Sequence, residues 1–218
     1  MFRSLAVRSL GIAAAFWTLT ASFAAAQRSG REAAEEPAAE EEIFSGPQPG
    51  EKAAPFLVQG VFDDDAGKEL DFVAQADGGP LLLIFVHQVT RPSAGVTRAL
   101  SHYAATRKED GFACGVVWLT ADASEAEEYL KRARRSLGLK SPVGIYLDGP
   151  EGPGSYGLNR NAALTVLVLH EGKVTYNYAE VQPSLTEAPG ILAEVCKLIG
   201  GEPPTLEELQ PRQGRRGE

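Results

Sequence analysis

Residues 81–93 read Leu-Leu-Leu-Ile-Phe-Val-His-Gln-Val-Thr-Arg-Pro-Ser, and the architecture expected for the whole chain begins with them. The first six residues are apolar without interruption, which is typical of a β-strand covered on both faces of a sheet. From Pro92 to about Lys108 the apolar spacing becomes helical. The apolar side of this predicted helix carries Val96, Leu100, Tyr103 and Ala104. A buried strand followed by an amphipathic helix predicts the start of a β-α-β unit.

The rest of the chain repeats this alternation of strands and helices. The predicted strands are residues 56–62, 70–73, 81–86, 113–119, 143–147, 164–169 and 173–178. The predicted helices are residues 92–108, 122–137 and 188–199. Strands separated by helices pair in parallel with right-handed crossovers, whereas the late hairpin around Glu171 and Gly172 adds antiparallel strands. We therefore expect an α/β fold of three layers, with a mixed central sheet flanked by helices.

The first 26 residues are typical of a signal peptide. Arg3 and Arg8 form a positive region, residues 10–23 form an apolar stretch, and residues 24–26 fit the small-x-small cleavage pattern. The apolar stretch is shorter than the ~20 residues of a membrane-spanning helix. An uncleaved N-terminal anchor is the alternative. We expect a cleaved signal peptide at 1–26, a mature protein that is not integral to a membrane, and a periplasmic or secreted location.

Composition separates one folded domain from two polar ends. Residues 27–42 are rich in Ala, Glu and Arg without apolar periodicity, so we expect a disordered acidic spacer, to which we assign residues 27–46, with Ile43 and Phe44 as the first candidates to pack on the domain. The folded domain is expected at 47–200, followed by a flexible C-terminal tail at 201–218 with one short helix at 205–209. The chain of 218 residues carries a net charge of −8 and no basic stripe, which argues against nucleic-acid binding.

Several short motifs resemble the redoxin and peroxiredoxin-like branch of the thioredoxin-like superfamily. Residues 50–56, Gly-Glu-Lys-Ala-Ala-Pro-Phe, are similar to its opening G-x-x-A-P-x-F segment with one residue out of step. Residues 81–86 are similar to the strand that leads into its active site. Further similar segments are Gly67-Lys68-Glu69-Leu70, Asp148-Gly149, Tyr156-Gly157-Leu158, and residues 166–169 with Glu171-Gly172. The resemblance covers about residues 50–200 and implies a thioredoxin-like fold.

The resemblance also implies where redox chemistry would lie, because the superfamily carries Cys-x-x-Cys or Thr-x-x-Cys at the start of the next helix. The matching residues here are Thr90, Arg91, Pro92 and Ser93. A helix N-terminus lowers the pKa of a thiol and so favours the nucleophilic thiolate. A serine hydroxyl forms neither a disulfide nor a sulfenic acid. The resemblance therefore implies a degenerate site without thiol redox catalysis.

Two further residues belong to this implied site. The superfamily's cis-proline position falls on Ala163, where we expect a trans peptide because a non-proline cis bond costs roughly 2.5–4 kcal/mol. His87 ends the first core strand and would point towards the site. With Ser93 it suggests a nucleophile and base, yet no acidic residue to orient the imidazole and no G-x-S-x-G motif is evident. No metal site and no cofactor are predicted.

The two cysteines, Cys114 and Cys196, are expected at the edge of the sheet opposite this site. The favoured interpretation is that each is a small buried side chain. A disulfide between them is the alternative, since an oxidising compartment would permit it. A catalytic thiol is the least favoured interpretation.

These observations predict an exported thioredoxin-like domain that binds a partner at the vestigial groove. The partner classes are an envelope protein or a small anionic ligand, because Arg91 at a helix N-terminus would favour an anionic group. The enzyme alternative is a thiol-disulfide oxidoreductase or a peroxidase-type antioxidant that uses a non-standard residue. A purely structural envelope module is the third alternative.

Overall fold

The computed structural model describes residues 43–210, so the predicted signal peptide, most of the predicted spacer and the last eight residues lie outside it. The strands are β1 (Val58–Gly60), β2 (Glu69–Leu70), β3 (Leu81–Val86), β4 (Ala113–Trp118), β5 (Val143–Ile145), β6 (Leu164–His170) and β7 (Lys173–Glu180). The α-helices are α1 (Phe72–Ala76), α2 (Arg91–Thr106), α3 (Ala123–Leu137), α4 (Ala188–Ile199) and α5 (Leu206–Leu209). Short 3₁₀ turns lie at Asp63–Asp65, Lys108–Asp110, Gly154–Tyr156 and Leu185–Glu187.

The strands form one mixed sheet in the order β2-β1-β5-β4-β3-β6-β7. Strands β3, β4 and β5 are parallel, while β1, β2, β6 and β7 join by antiparallel pairing. This confirms the predicted mixed sheet. We call the edge at which β3, β4 and β5 end the carboxyl edge, and the edge at which they begin the amino edge.

Strand β3 is buried on both faces, which explains its uninterrupted apolar run. Its side chains alternate between two hydrophobic clusters on opposite faces of the sheet. One cluster receives Leu82, Ile84 and Val86, and the other receives Leu81, Leu83 and Phe85. Burying each such side chain stabilises the fold by roughly 1.5–3 kcal/mol. The interior position of β3 therefore follows directly from its sequence.

The two outer layers of the sheet are unequal. Helices α2, α3 and α4 all contribute to the first cluster, whereas the second is covered by short α1 and irregular segments. The strand predicted at 70–73 is wrong beyond Leu70, because the chain enters α1 there. Asp71 caps this helix by accepting a hydrogen bond from the Ala74 N–H at 2.9 Å. A local cap thus overrides the apolar pattern of Phe72 and Val73.

The predicted hairpin between β6 and β7 is confirmed. The two connecting residues, Glu171 and Gly172, have φ values of 52° and 70°. Positive φ at both central residues is the requirement of a type I′ turn, whose twist matches that of the strands. A glutamate tolerates this conformation less well than glycine, so the hairpin pairing holds it there.

The folded part extends beyond the predicted limits of 47 and 200. Ser45 is buried, and its hydroxyl lies 2.7 Å from that of Thr165 on β6. The segment at Ser45 thus packs on β6, within the range 27–46 that the sequence analysis assigned to the spacer. At the other end the predicted short helix is confirmed as α5, which Thr205 caps, and Leu209 packs against the first cluster. Among residues 43–210, no helix has the length and apolar character required to cross a bilayer.

Candidate functional site

The fold brings the predicted site residues together at the carboxyl edge. The backbone N–H groups of His87 and Gln88 both donate to the carbonyl oxygen of Ala163, at 3.1 and 3.2 Å. The Ala163 N–H in turn donates to the carbonyl oxygen of Glu180 at 2.8 Å, a bond that a proline could not make. The loop before α2 is thereby tied to the start of β6 and the end of β7.

Ser93 stands in the first turn of α2 and is fully buried. Its Oγ accepts hydrogen bonds from the backbone N–H of Thr90 at 2.8 Å and from the Thr90 hydroxyl at 3.0 Å. The Ser93 hydroxyl donates to the Gln88 carbonyl oxygen at 2.7 Å. The Ser93 N–H also donates to Thr90 Oγ1 at 3.1 Å, which completes a capping box.

This network leaves the Ser93 hydroxyl without free hydrogen-bonding capacity. A hydroxyl has one proton and two lone pairs, and here all three are engaged by the protein. The cavity that Ser93 lines has a volume of about 10 Å³, close to the space of one water molecule. These bonds make Ser93 part of the structural cap of α2. The sequence analysis did not predict this capping role.

His87 belongs to a separate chain of polar contacts. Its Nε2 lies 3.0 Å from Thr165 Oγ1, which lies 2.7 Å from Ser45 Oγ. The Ser45 hydroxyl also accepts the Asn159 N–H at 3.0 Å. Thr165 and Ser45 are both buried, and this series of polar contacts links the site to the N-terminal segment of the domain. Sequence reasoning missed both hydroxyls, although Thr165 is a polar interruption of the apolar run in β6.

The environment of His87 does not suit a catalytic base for Ser93. Burial lowers the pKa of His87 to about 4, so the imidazole is neutral at pH 7. Its Nδ1 is buried and has no hydrogen-bond partner among residues 43–210. Its Nε2 is engaged by Thr165, while Ser93 is engaged by Gln88 and Thr90. Ser93 and His87 therefore do not form the hydrogen-bonded nucleophile and base pair that the sequence suggested.

Both cysteines are free thiols, so the Cys114–Cys196 disulfide left open by the sequence is not formed. Cys114 is the second residue of β4, near the amino edge, and burial raises its pKa to about 12. Cys196 is buried in α4, where its sulfur lies 3.0 Å from the hydroxyl of Tyr103. Cys114 thus lies at the opposite edge from Ser93, and Cys196 is enclosed by α4 and α2. Within residues 43–210, no group of His, Cys, Asp and Glu side chains could hold a metal ion.

The N-terminus of α2 offers little to an anion. Pro92 has no N–H, and the Ser93 N–H is already bound by Thr90. The Ala94 N–H donates to the Thr90 carbonyl oxygen at 3.0 Å. The exposed side chain of Arg91 makes no ion pair with any residue between 43 and 210. A helix N-terminus binds anions through its unpaired N–H groups. At the start of α2, Pro92 has no N–H and the N–H groups of Ser93 and Ala94 are already bonded within the protein.

Exposed apolar side chains gather at the carboxyl edge. Among residues 43–210 the large hydrophobic residues classed as exposed are Phe44, Leu57, Val89, Leu147 and Val181, at 45% to 67% exposure. Val89 follows β3 and Leu147 follows β5, so both lie at the carboxyl edge. Val181 follows β7, and the end of β7 pairs with the start of β6, which lies at the same edge. Leu57 precedes β1, which runs antiparallel to β5, and Phe44 adjoins Ser45. We call these five residues the carboxyl-edge patch.

This topology, with a helix that starts at the carboxyl edge and faces the beginning of β6, defines the thioredoxin-like fold. A protein of Bacteroides thetaiotaomicron assigned as a protein disulfide isomerase superposes with a TM-score of 0.58 at 17% identity, covering 73% of this chain and 96% of that one. A protein of Chlorobium tepidum assigned as the thiol:disulfide interchange protein DsbE gives 0.55 at 18% identity, covering 73% and 100%. An uncharacterized conserved protein of Geobacillus kaustophilus gives 0.54 at 17% identity, covering 75% and 86%.

These likenesses confirm the thioredoxin-like fold that the motifs implied. No protein-family model matches the sequence, and no curated protein matches it. At this level of identity the comparison concerns the fold alone. The chemistry at the carboxyl edge depends on the residues that this chain places there.

Replacing Ser93 tests its structural role. Ser93→Ala removes the partner of the Thr90 N–H and of the Gln88 carbonyl, so we expect a loss of about 1–3 kcal/mol in the free energy of unfolding. Urea denaturation followed by circular dichroism measures the change. The exposed Ser136→Ala serves as the control and should change stability by less than about 0.5 kcal/mol. A Ser93→Ala protein as stable as the control would contradict the capping role.

The pKa of His87 predicts a pH dependence of stability. Because the folded-state pKa of about 4 lies below the unfolded value of about 6.5, the unfolded chain takes up the proton first as the pH falls. Stability from this group is complete above pH 6.5 and is lost as the pH falls towards 4. Between pH 7 and pH 5 the wild type should lose about 2 kcal/mol more than His87→Gln.

Urea denaturation at the two pH values measures this difference. Ser136→Ala, which removes no titratable group, is the control and should lose as much stability as the wild type. Equal losses in the wild type and in His87→Gln would show that His87 is not held neutral by burial.

Proposed function

We propose that this protein is a redox-inactive thioredoxin-like module, located in the periplasm or outside the cell, that binds an apolar segment of a partner polypeptide at its carboxyl edge. The observation that carries the proposal is the carboxyl-edge patch. Among residues 43–210, the large hydrophobic side chains classed as exposed all lie at the edge where Ser93 and His87 stand. Exposed apolar residues that collect on one surface mark interaction sites, whereas single scattered ones do not.

The extent of the patch suits a polypeptide segment. Leu147 follows β5 and Val181 follows β7, and these two strands are four positions apart in the sheet. At the usual strand spacing they are separated by about 20 Å. Val89 stands between them, next to the start of α2. Burying side chains that are about half exposed would stabilise a complex by roughly 1 kcal/mol each. A small molecule would contact only part of such a span.

The surroundings of Val89 also resemble an interface. Gln88, Thr90, Arg91 and Pro92 are exposed next to it, so a polar rim adjoins the apolar contact. Protein interfaces commonly combine an apolar centre with a polar, solvent-accessible rim. The bonds from His87 and Gln88 to Ala163 hold this loop in place, so binding would order little additional backbone.

A small anionic ligand at the start of α2, the other partner class considered from the sequence, receives less support. Pro92 lacks an N–H and the Ser93 N–H is occupied, so Arg91 would have to supply most of the attraction. A single exposed charge contributes about 1 kcal/mol or less. We therefore favour a polypeptide partner.

The enzyme alternative, a thiol oxidoreductase or peroxidase, lacks a thiol in the right place. The chain has two cysteines, and neither Cys114 nor Cys196 lies at the carboxyl edge. The raised pKa of Cys114 keeps it in the unreactive thiol form at neutral pH. Export rests on the sequence of residues 1–26, with its positive start, apolar stretch and Ala-rich cleavage pattern.

A photo-crosslinking experiment tests the proposed binding face. The photoreactive residue p-benzoylphenylalanine replaces Val89 in the exported protein, and irradiated cells are analysed for covalent products of defined mass. We expect a discrete product with a partner protein. Adding Val181→Glu should reduce its yield at least about fivefold, because a charge is then buried in the apolar contact.

The matched control adds Ser136→Glu instead, at an exposed position near the end of α3 and towards the amino edge. It introduces the same charge and should leave the product unchanged. A product that forms equally well with Val181→Glu, or no product from position 89, would contradict binding at the carboxyl-edge patch.

A further inference from the structure

A second cavity, at the amino edge, is separate from the site described above. Its volume is about 390 Å³, which lies within the range of small-molecule sites. It is bounded by the end of α2, the start of β4, α1 and the loop before β5. Neither Ser93 nor any member of the carboxyl-edge patch lines it.

The lining of this cavity is largely apolar. It includes Phe72, Leu81, Ala104 and Phe112, which are buried residues of the two hydrophobic clusters, and Ala105 and Pro142, which are exposed. The exposed apolar surface of Ala105 and Pro142 is costly to hydrate. It would be stabilised by an apolar group of matching size.

One wall of the cavity is held rigidly. The buried hydroxyl of Ser101 on α2 accepts the backbone N–H groups of Lys140 and Ser141, each at 2.8 Å. These bonds fix the loop that carries Lys140, Ser141 and Pro142 against α2. The cavity is thus largely preformed, which reduces the entropy cost of filling it.

The charges around the cavity have one sign. Lys108 and Lys140 line it, and no acidic side chain between residues 43 and 210 does so. Neither lysine forms an ion pair within that range. In a chain with 29 acidic and 21 basic residues, two lysines beside one cavity favour a negative group there.

We propose that this amino-edge cavity binds a small amphipathic anion, such as a medium-chain carboxylate. The apolar body would lie against Ala105 and Pro142, and the carboxylate would lie near Lys108 and Lys140. The ammonium groups of both lysines are carried on flexible side chains, so both can contact the same carboxylate. This inference is independent of the proposed function, because it concerns other residues at the opposite edge.

Decanoate is the probe for the test, with ¹⁵N-labelled full-length protein followed by amide NMR shifts. We expect saturable shifts at the cavity residues Gly111, Cys114 and Ser141, and none at Val89 or Val181. The double variant Lys108→Gln, Lys140→Gln should weaken decanoate binding roughly tenfold, as two ion pairs are lost. It should leave binding of neutral decanol unchanged.

The control variant is Lys68→Gln, Lys173→Gln, which removes the same charge from exposed positions that do not line the cavity. Its affinity for decanoate should equal that of the wild type. The proposal is overturned if decanoate produces no saturable shifts, if the shifts lie at the carboxyl edge, or if both double variants bind decanoate equally well. Because all four lysines are exposed, the variants should fold, and unchanged unfolding midpoints would verify this.

Discussion

The burial of β3 on both faces is the constraint from which the rest of the structure follows. Its six side chains are shared between two hydrophobic clusters, so the strand can occupy only the interior of the sheet. Parallel pairing with β4 then requires a crossover, and α2 provides it. The turn into α2 must therefore lie at the carboxyl edge, opposite Ala163 at the start of β6. A thioredoxin-like scaffold thus presents residues 87–93 at the same place whether or not they include a thiol.

In this chain the polar residues at that place form hydrogen bonds within the protein. Ser93 and Thr90 bond to each other, and the Ser93 hydroxyl also donates to the Gln88 carbonyl oxygen. His87 contacts Thr165, which in turn contacts Ser45. These hydrogen bonds rigidify the loop and occupy the Ser93 hydroxyl and His87 Nε2. The apolar residues of the carboxyl-edge patch remain exposed beside this network. This arrangement of a rigid polar centre beside exposed apolar side chains is the basis of the proposal that the carboxyl edge binds a polypeptide.

The elements that the sequence predicted well are those set by long-range burial. Their residue order shows a recognisable pattern of apolar and turn residues. The examples are the uninterrupted apolar run of β3, the apolar stripes of α2, α3 and α4, and the hairpin turn at Glu171 and Gly172. Helix α1 was missed because the side chain of Asp71 captures the Ala74 N–H, a local bond that hydrophobicity does not reveal. Ser45 was assigned to the spacer because its partner Thr165 lies 120 residues away. The positions Thr90 and Ser93 were located by resemblance, but their mutual hydrogen bonds depend on backbone geometry.

Neither Cys114 nor Cys196 lies at the carboxyl edge beside Ser93, and we expect neither to be a reactive thiol. Alkylation by iodoacetamide tests this expectation most directly, with the rate at Cys114 and at Cys196 measured by peptide mass in native and in urea-unfolded protein from pH 6 to pH 9. With Cys114 held near pKa 12 by burial and Cys196 enclosed beside Tyr103, both should react far more slowly in the native protein than in the unfolded chain. A thiol that reacts faster in the native protein at pH 6 than after unfolding would contradict the account.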